Sequence, residues 1–446
     1  PSSGNLHPTE AYVVLPPLSG ASATPALYHY VSESHVLERR ASFTDDLWRT
    51  LTNSLPESSF LVGLSSVIWR EAWKYGERAF RYCQHDVGHA VAALRFAAVF
   101  SGWRIRVASS WSTEDVAALL GTDRADEFHE EELEEAELLA VVSPCTSAEE
   151  NGSLPPPGDA LMQEVRAADW HGRPNRLSGT HVRWPVIEEV ARATRTPRTP
   201  APIEPSALYP KRTEHLRFLS SLEARQIISQ RRSCLSLDGL SEIPVEQFMG
   251  MMAHAMPGPH PPWDAVYWRP KIHLLIFVHR VIGLQPGVYM LVRDRDKIDV
   301  LKAACDDAFA WRTPAGTPDD LPLYLLREAD CRQTARSLSC HQDIAADGFF
   351  SLGMVAEFAE PIQRHGPSFY RNLFWETGVI GQVLYLEAEA AGARSTGIGC
   401  FFDDAVHDAA GLKGNQFQSL YHFTVGMPIE DNRLQSWPPY DEVENK

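Results

Sequence analysis

Motifs that would assign a chemistry at sight are missing from this 446-residue chain. It has no Walker A sequence, no GxGxxG fingerprint and no HExxH, so the usual carriers of triphosphate, dinucleotide and zinc-hydrolase chemistry are lacking. No CxxC occurs, and the seven cysteines are few and odd in number. A disulfide framework and a structural zinc cluster are therefore not expected, and a reducing compartment, the cytoplasm, fits best. Basic residues are scarce relative to acids, 41 against 58, a net charge of −17. That balance argues against a nucleic-acid backbone or an anionic membrane as partner. No apolar run reaches the roughly 18 to 20 residues that span a bilayer. An initiator Met and a signal-like segment are also lacking, since the chain starts at Pro1. The expectation is that the front of its first module is missing.

What is present is ordinary globular composition, 44% apolar and 22% charged, enough for two or three domains. Ten of the 32 prolines lie between Pro155 and Pro210. Proline fixes φ and removes a backbone donor, so this stretch reads as a connector, with room for one short helix over Pro185–Arg195. The acidic run Asp126–Glu137 holds eight acids in twelve residues. It reads as a solvated loop or helix face before a strand at Leu138–Val142, or else as a partner-binding tail.

An internal repeat is the most informative global feature. Shifting the chain by 290 residues places Phe80-Arg81 on Tyr370-Arg371 and Asp86-Val87-Gly88 on Glu376-Thr377-Gly378. The match runs on without a gap through Leu94/Leu384, Gly102/Gly392 and Gly121/Gly411. Each copy reads as a long apolar-periodic helix ending at Gly, a short strand, a short helix closing at Gly, and a final strand. The last strands are Leu138–Val142 and Tyr421–Val425. Upstream, a shift of about 261 residues matches Ala11–Leu15 with His273–Val278, both β-rich. Helices and strands mix in each copy, so the class is α+β.

Three segments carry candidate chemistry. Pro1-Ser2-Ser3-Gly4-Asn5 sets small polar side chains around a Gly, able to approach a planar polar ligand or simply to turn into the strand. Arg231-Arg232-Ser233 follows an apolar helix, where guanidinium forks match phosphate oxygens, though paired basic residues also serve as a solvated face. Gly397-Ile398-Gly399, after the second long helix, lets backbone N–H groups face a flat ring. His85 and His89 have metal-compatible spacing, but packing or capping is the favoured role and no metal site is expected. Cys340-His341 matches no nucleophile motif and reads as a buried thiol. Trp263, Trp268 and Met249, Met251 and Met252 are core or pocket lining.

Together the three segments resemble the nitroreductase-like flavin oxidoreductases, and more closely their SagB-type dehydrogenase branch. The resemblance spans most of 1–144 and 216–428. It implies two nitroreductase-like three-layer sandwich modules forming an intramolecular pseudo-dimer. The first covers 1–144 and is N-terminally incomplete, 145–212 is the Pro-rich linker, and 213–446 is the second. It further implies FMN bound between the modules, one per chain, because PSSGN is intact only in the first and the Arg-x-Ser arm and Gly loop only in the second. Arg231 and Ser233 would then hold the phosphate with Arg232 close by, and Arg433 would add a second contact. Ser2, Ser3 and Asn5 would reach the pyrimidine edge or ribityl hydroxyls. Gly397, Ile398 and Gly399 would lie by the ring, with the Gly399 backbone near N5. Where the family often has a basic residue, this chain has Leu235; Arg78 or Lys74 would either replace it or form surface salt bridges. The implied activity is hydride transfer between flavin and a small organic or modified-peptide heterocycle, the alternatives being NAD(P)H-dependent nitro or quinone reduction and a flavin-free scaffold.

Overall fold

The computed structural model describes residues 1–145, 154–200, 203 and 222–435. The first half builds one antiparallel sheet from β1 (Thr9–Leu15), β2 (Ala26–Val31), β3 (Val36–Ser42), β4 (Phe60–Val67), β5 (Trp103–Val107), β6 (Glu134–Pro144) and the two-residue β7 (Asp169–Trp170). Its helices are α1 (Asp45–Thr52), α2 (Trp69–Tyr75), α3 (Ala79–Phe100), α4 (Thr113–Leu120), α5 (Asp159–Arg166) and α6 (Pro185–Ala193). The second half supplies β8 (Ile243–Pro244), β9 (Ile272–Val278), β10 (Val281–Ile282), β11 (Gly287–Leu291), β12 (Leu323–Glu328), β13 (Phe350–Glu357), β14 (Arg394–Ile398) and β15 (Phe417–Gly426). Among them run α7 (Ala224–Gln230), α8 (Val245–His254), α9 (Ile298–Ala304), α10 (Arg332–Leu338), α11 (Ile344–Asp347), α12 (Ala359–His365), α13 (Phe369–Ala390) and α14 (Asp403–Ala410).

The sheets share one strand order. The first reads β5-β6-β4-β1-β2-β3 with β7 on its edge, and the second β14-β15-β13-β9-β11-β12. β4 and β13, and likewise α3 and α13, keep the 290-residue offset from end to end. The helix stops read from the sequence hold at Gly121 and Gly411, which cap α4 and α14 with φ 78° and 74°, a conformation that costs a Cβ-bearing residue.

Period-two alternation sorts each strand between two cores. Leu138, Ala140 and Val142 of β6 face the central layer with α3 and α13, while Leu139 and Val141 face α1, α4 and α5. In β9, Leu274, Ile276 and Val278 face inward, and Leu275 and Phe277 face α9, α10 and α14. The central core is continuous across both halves. Met249, Met251, Met252, Trp263 and Trp268 all belong to it.

The Pro-rich connector is more structured than its composition suggests. Besides the expected α6 it holds α5, whose Met162 and Val165 fill the outer core of the first half, and β7, which pairs with β3. The acidic run departs from its expected solvation. Its last part is the start of β6, where Glu134, Glu135 and Glu137 are buried. Each finds a partner far away in sequence: Tyr12 and Ser65 for Glu134, Arg195 and Arg371 for Glu135, Gln84 and Arg371 for Glu137. Buried carboxylates persist when paired and hydrogen-bonded, so the strand begins four residues before its apolar stretch.

Candidate functional site

The three sequence segments converge between the halves. Ser233 bridges to Ser395 on β14, and the Cys234 N–H donates to Thr396 Oγ1 at 3.1 Å, whose hydroxyl donates to the Cys234 carbonyl at 2.7 Å. The arm is thereby pinned beside the glycine loop. Tyr385 of α13 joins them: its hydroxyl lies 2.9 Å from Ser233 Oγ and accepts from the Gly397 N–H at 3.0 Å. Arg231 closes α7 and lays its guanidinium over the Tyr385 ring, 5.1 Å from the centroid. Burial holds its pKa below the usual arginine value, and its Nη1 is buried without a hydrogen-bond partner. A desolvated, unsaturated guanidinium is a site for an anion.

The opening turn comes from the other half. Gly4 and Asn5 adopt φ 60° and 59°, and the Ser2 hydroxyl accepts the His7 N–H at 2.9 Å. Asn5 Oδ1 lies 2.9 Å from His7 Nε2. Asp86 of α3 accepts from Ser2 and from the Ser3 N–H, while burial pushes its carboxyl up to about 7. Glu71 beside it is pushed up to about 9, by burial first and by the Asp86 charge second. Arg231 acts electrostatically on Pro1, His7 and His89, so the arm and the turn share one site.

The glycine loop is closely covered. A Cβ on Gly397 would overlap the Tyr421 hydroxyl, and one on Gly399 would overlap the Tyr82 ring. Ile398 is buried against Cys234, Leu237, Ile344 and Ala345. His85 stacks on Tyr421 at 4.1 Å and meets Thr377 Oγ1 at 2.8 Å, while burial lowers it to about 3. His89 meets Gln382 Oε1 at 3.3 Å. Both histidines are therefore neutral packing groups rather than ligands of a shared ion.

The structure sets Arg231, Ser233 and Gly397 together and puts the turn of Ser2 and Ser3, on Asp86, beside them, while Asn5 is exposed and meets His7. Arg232 turns back onto its own chain, donating to the Ser229 and Arg231 carbonyls. Arg433 stands apart, exposed and paired with its neighbour Asp431 at 2.6 Å. Leu235 is exposed. Arg78 contacts Tyr82 and Cys400, and Lys74 lies over Tyr75 and near Gly4. Sequence reasoning missed Tyr82, Tyr385, Tyr421 and the carboxyls of Asp86 and Glu71. Only Asp86 carried a signal, as the repeat partner of Glu376.

That partner marks the counterpart position. Glu376 accepts from the Lys271 N–H at 3.0 Å and from Trp268 Nε1 at 3.0 Å, and it pairs with the fully buried Arg293. The Arg293 guanidinium covers Trp263 at 4.6 Å. These side chains leave a void of about 10 Å³, so this position is packed shut. A cavity of about 610 Å³ lies elsewhere in the first half, between α2, α4, the start of β6 and α6. None of the sequence-predicted residues lines it. Its Asp123, Glu135 and Glu188 are already paired with Arg166, Arg195 and Arg183. Among the described residues, His129, Glu131 and His181 are close enough to share an ion, but His181 Nε2 is held by Glu132 at 2.6 Å and His129 Nδ1 lies 3.0 Å from Glu131.

Residues 228–427 match the nitroreductase family. That segment holds the arm, Tyr385, the glycine loop and the packed-shut counterpart. A crystal structure described as a nitroreductase, from Anabaena variabilis, superposes with a TM-score of 0.67 at 21% identity, over 96% of this chain and 82% of its own. The nitroreductase-type fold thus extends over both halves. A second protein so described, from Ralstonia eutropha, covers 52% of this chain and 95% of its own at 16% identity and TM-score 0.33. An E. coli microcin synthetase complex, solved with truncated pro-microcin B17, covers 57% of this chain and 85% of its own at 15% identity and TM-score 0.34. No curated protein matches the chain. No described helix is long and apolar enough to cross a membrane.

The fold family implies FMN, and the residues fit its phosphate end. Arg231 offers an unsatisfied buried donor and Ser233 a hydroxyl beside it, while from the opposite half Pro1 lies within the field of Arg231 and Ser2 and Ser3 bind Asp86.

Proposed function

We propose that the chain is an FMN-dependent oxidoreductase in which two fused nitroreductase-like modules form a pseudo-dimer with one flavin site. The observation that carries this reading is Arg231: a buried guanidinium with a free Nη1, beside Ser233 and the glycine loop and facing the first-half turn. Arg231 and Ser233 hold the phosphate, while Ser2, Ser3 and Asn5 orient the pyrimidine edge or ribityl chain. When bound, the cofactor supplies hydride exchange with an organic substrate. Tyr385 fixes both the arm and the Gly397 N–H, so it positions the two sides of the site relative to one another. The counterpart position, filled by Arg293, Glu376, Trp263 and Trp268, is unused.

The PSSGNLHPTEAY turn resembles the SagB-type branch, which favours dehydrogenation of a heterocycle in a modified peptide, such as azoline to azole. NAD(P)H-driven reduction of nitro or quinone compounds is the other substrate class. A flavin-free scaffold is the second reading, favoured by the packing of Tyr421 and Tyr82 over Gly397 and Gly399. Flavin released by denaturing the purified full chain decides among them. One FMN per chain is expected. Two per chain would overturn the single-site assignment, and a colourless protein that cannot be reconstituted would establish the scaffold.

A further inference from the structure

Two of the seven cysteines lie side by side although sixty positions apart in sequence. Cys340 and Cys400 are hydrogen-bond neighbours through their thiols, and both are half-exposed. The reading of Cys340 as a buried thiol therefore does not hold: its loop lies along the surface rather than in the core. Backbone geometry keeps the two segments together independently of the thiols. The Phe402 N–H donates to the Leu338 carbonyl at 2.9 Å, and Gln342 Nε2 donates to the carbonyls of Ser339 at 2.9 Å and Cys400 at 3.2 Å. The His341 ring lies 5.6 Å from that of Phe402. Cys340 and His341 themselves take φ of 54° and 59°. For residues carrying a Cβ this conformation is costly and persists only where surrounding contacts hold it. Here it places the Cys340 side chain against Cys400.

The second thiol sits directly after Gly399, and Arg78 of the first half reaches across to it as a hydrogen-bond partner, contacting Tyr82 as well. Arg78 is a hydrogen-bond partner of Cys340 as well, so one guanidinium spans both thiols, and the thiolate is the nucleophilic form in disulfide exchange. Burial, with the neighbouring thiol second, pushes Cys340 up to about 11. Cys83, Cys234, Cys305 and Cys331 are buried, and Cys145 is exposed far along the chain.

We propose that Cys340 and Cys400 are a redox-active dithiol that closes to a disulfide by exchange with a small-molecule disulfide. The thiolate of one cysteine attacks one sulfur of the oxidant, forming a mixed disulfide and releasing one equivalent of small thiol. The other cysteine then attacks the sulfur of the first, forming the intramolecular bond and releasing the second equivalent. The two protons lost by the cysteines end on the two released thiols, and the oxidant takes up both electrons. Closure removes both thiols that Arg78 contacts, so the redox state acts on the junction between the halves beside Gly397 and Gly399. This inference stands independently of flavin binding.

The test uses the full chain carrying Cys145→Ser, treated with oxidised glutathione at pH 8, alkylated and digested without reduction. The expected result is a linked peptide pair containing Cys340 and Cys400, lighter by two hydrogens than the dithiol and cleaved by dithiothreitol. Cys340→Ser and Cys400→Ser should each stop at a mixed disulfide, with glutathione held on the remaining thiol. Alkylation of both thiols after oxidation would overturn the proposal. So would glutathione accumulating on both cysteines without a link.

Discussion

Gly88 and Gly378 face each other where α3 and α13 cross, and neither has room for a methyl group. A Cβ on Gly378 would stand 2.8 Å from Gly88 Cα and overlap the His85 carbonyl oxygen, while one on Gly88 would overlap the Trp375 carbonyl. The obstacles are backbone, which cannot swing aside as a flexible side chain would. Since the central core is continuous through this crossing, the two glycines set the distance between the halves.

Gly88→Ala and Gly378→Ala are therefore each expected to destabilise the protein by about 3 kcal/mol or more, as overpacking against backbone does. Gly20→Ala is the contrast for packing: that glycine has open space around it, so only its positive φ is disturbed. Urea unfolding of the three variants checks the order.

Arg371 crosses from α13 to β6, donating to Glu135 and Glu137 at 2.8 Å each. Arg371→Met leaves two buried carboxylates short of their cation and is expected to cost about 3–5 kcal/mol. Arg364→Ala, at an exposed residue that pairs with Glu360 on the surface, should change stability by less than about 1 kcal/mol. Chemical denaturation of both separates the buried pair from the surface one.

Arg231→Ala should abolish retention of FMN, whereas Arg433→Ala should leave it unchanged, because Arg433 is tied to Asp431 away from the arm. Flavin fluorescence after denaturation reads both. Equal loss in the two variants would move the phosphate site to the C-terminal side of β15.

Glu71 gives stability a pH dependence with a definite sign. Its carboxyl titrates near 4.5 when exposed and at about 9 in the fold, so between these values the folded state binds the extra proton. Stability must then fall as pH rises. Asp86, pushed up to about 7 by burial, acts in the same direction. Glu71→Gln should flatten the decline between pH 5 and pH 8, a gain on the order of 2 kcal/mol at pH 8 after allowance for partial solvent screening. Urea midpoints at the two pH values measure it, and an unchanged slope in the variant would contradict the assignment.

Much of the architecture was legible in the chain alone. The β-rich run of β9, period 3.6 in α13 and glycine at the helix stops are local properties, and the internal repeat related them from one half to the other. Local signals also located PSSGN, RRS and the glycine loop. Tertiary structure decided which charges are buried and which residues share the site. Glu135 and Glu137 looked solvated because Arg371, which neutralises them, lies more than 230 positions away. Arg433 looked like a phosphate contact, but its nearest carboxylate is two residues back. Tyr385, Tyr421 and Tyr82 carried no pattern, and Cys340 met Cys400 only through the packing of two loops. Backbone periodicity records which face of an element is buried, whereas the partners of a polar side chain depend on which distant element the packed core brings beside it.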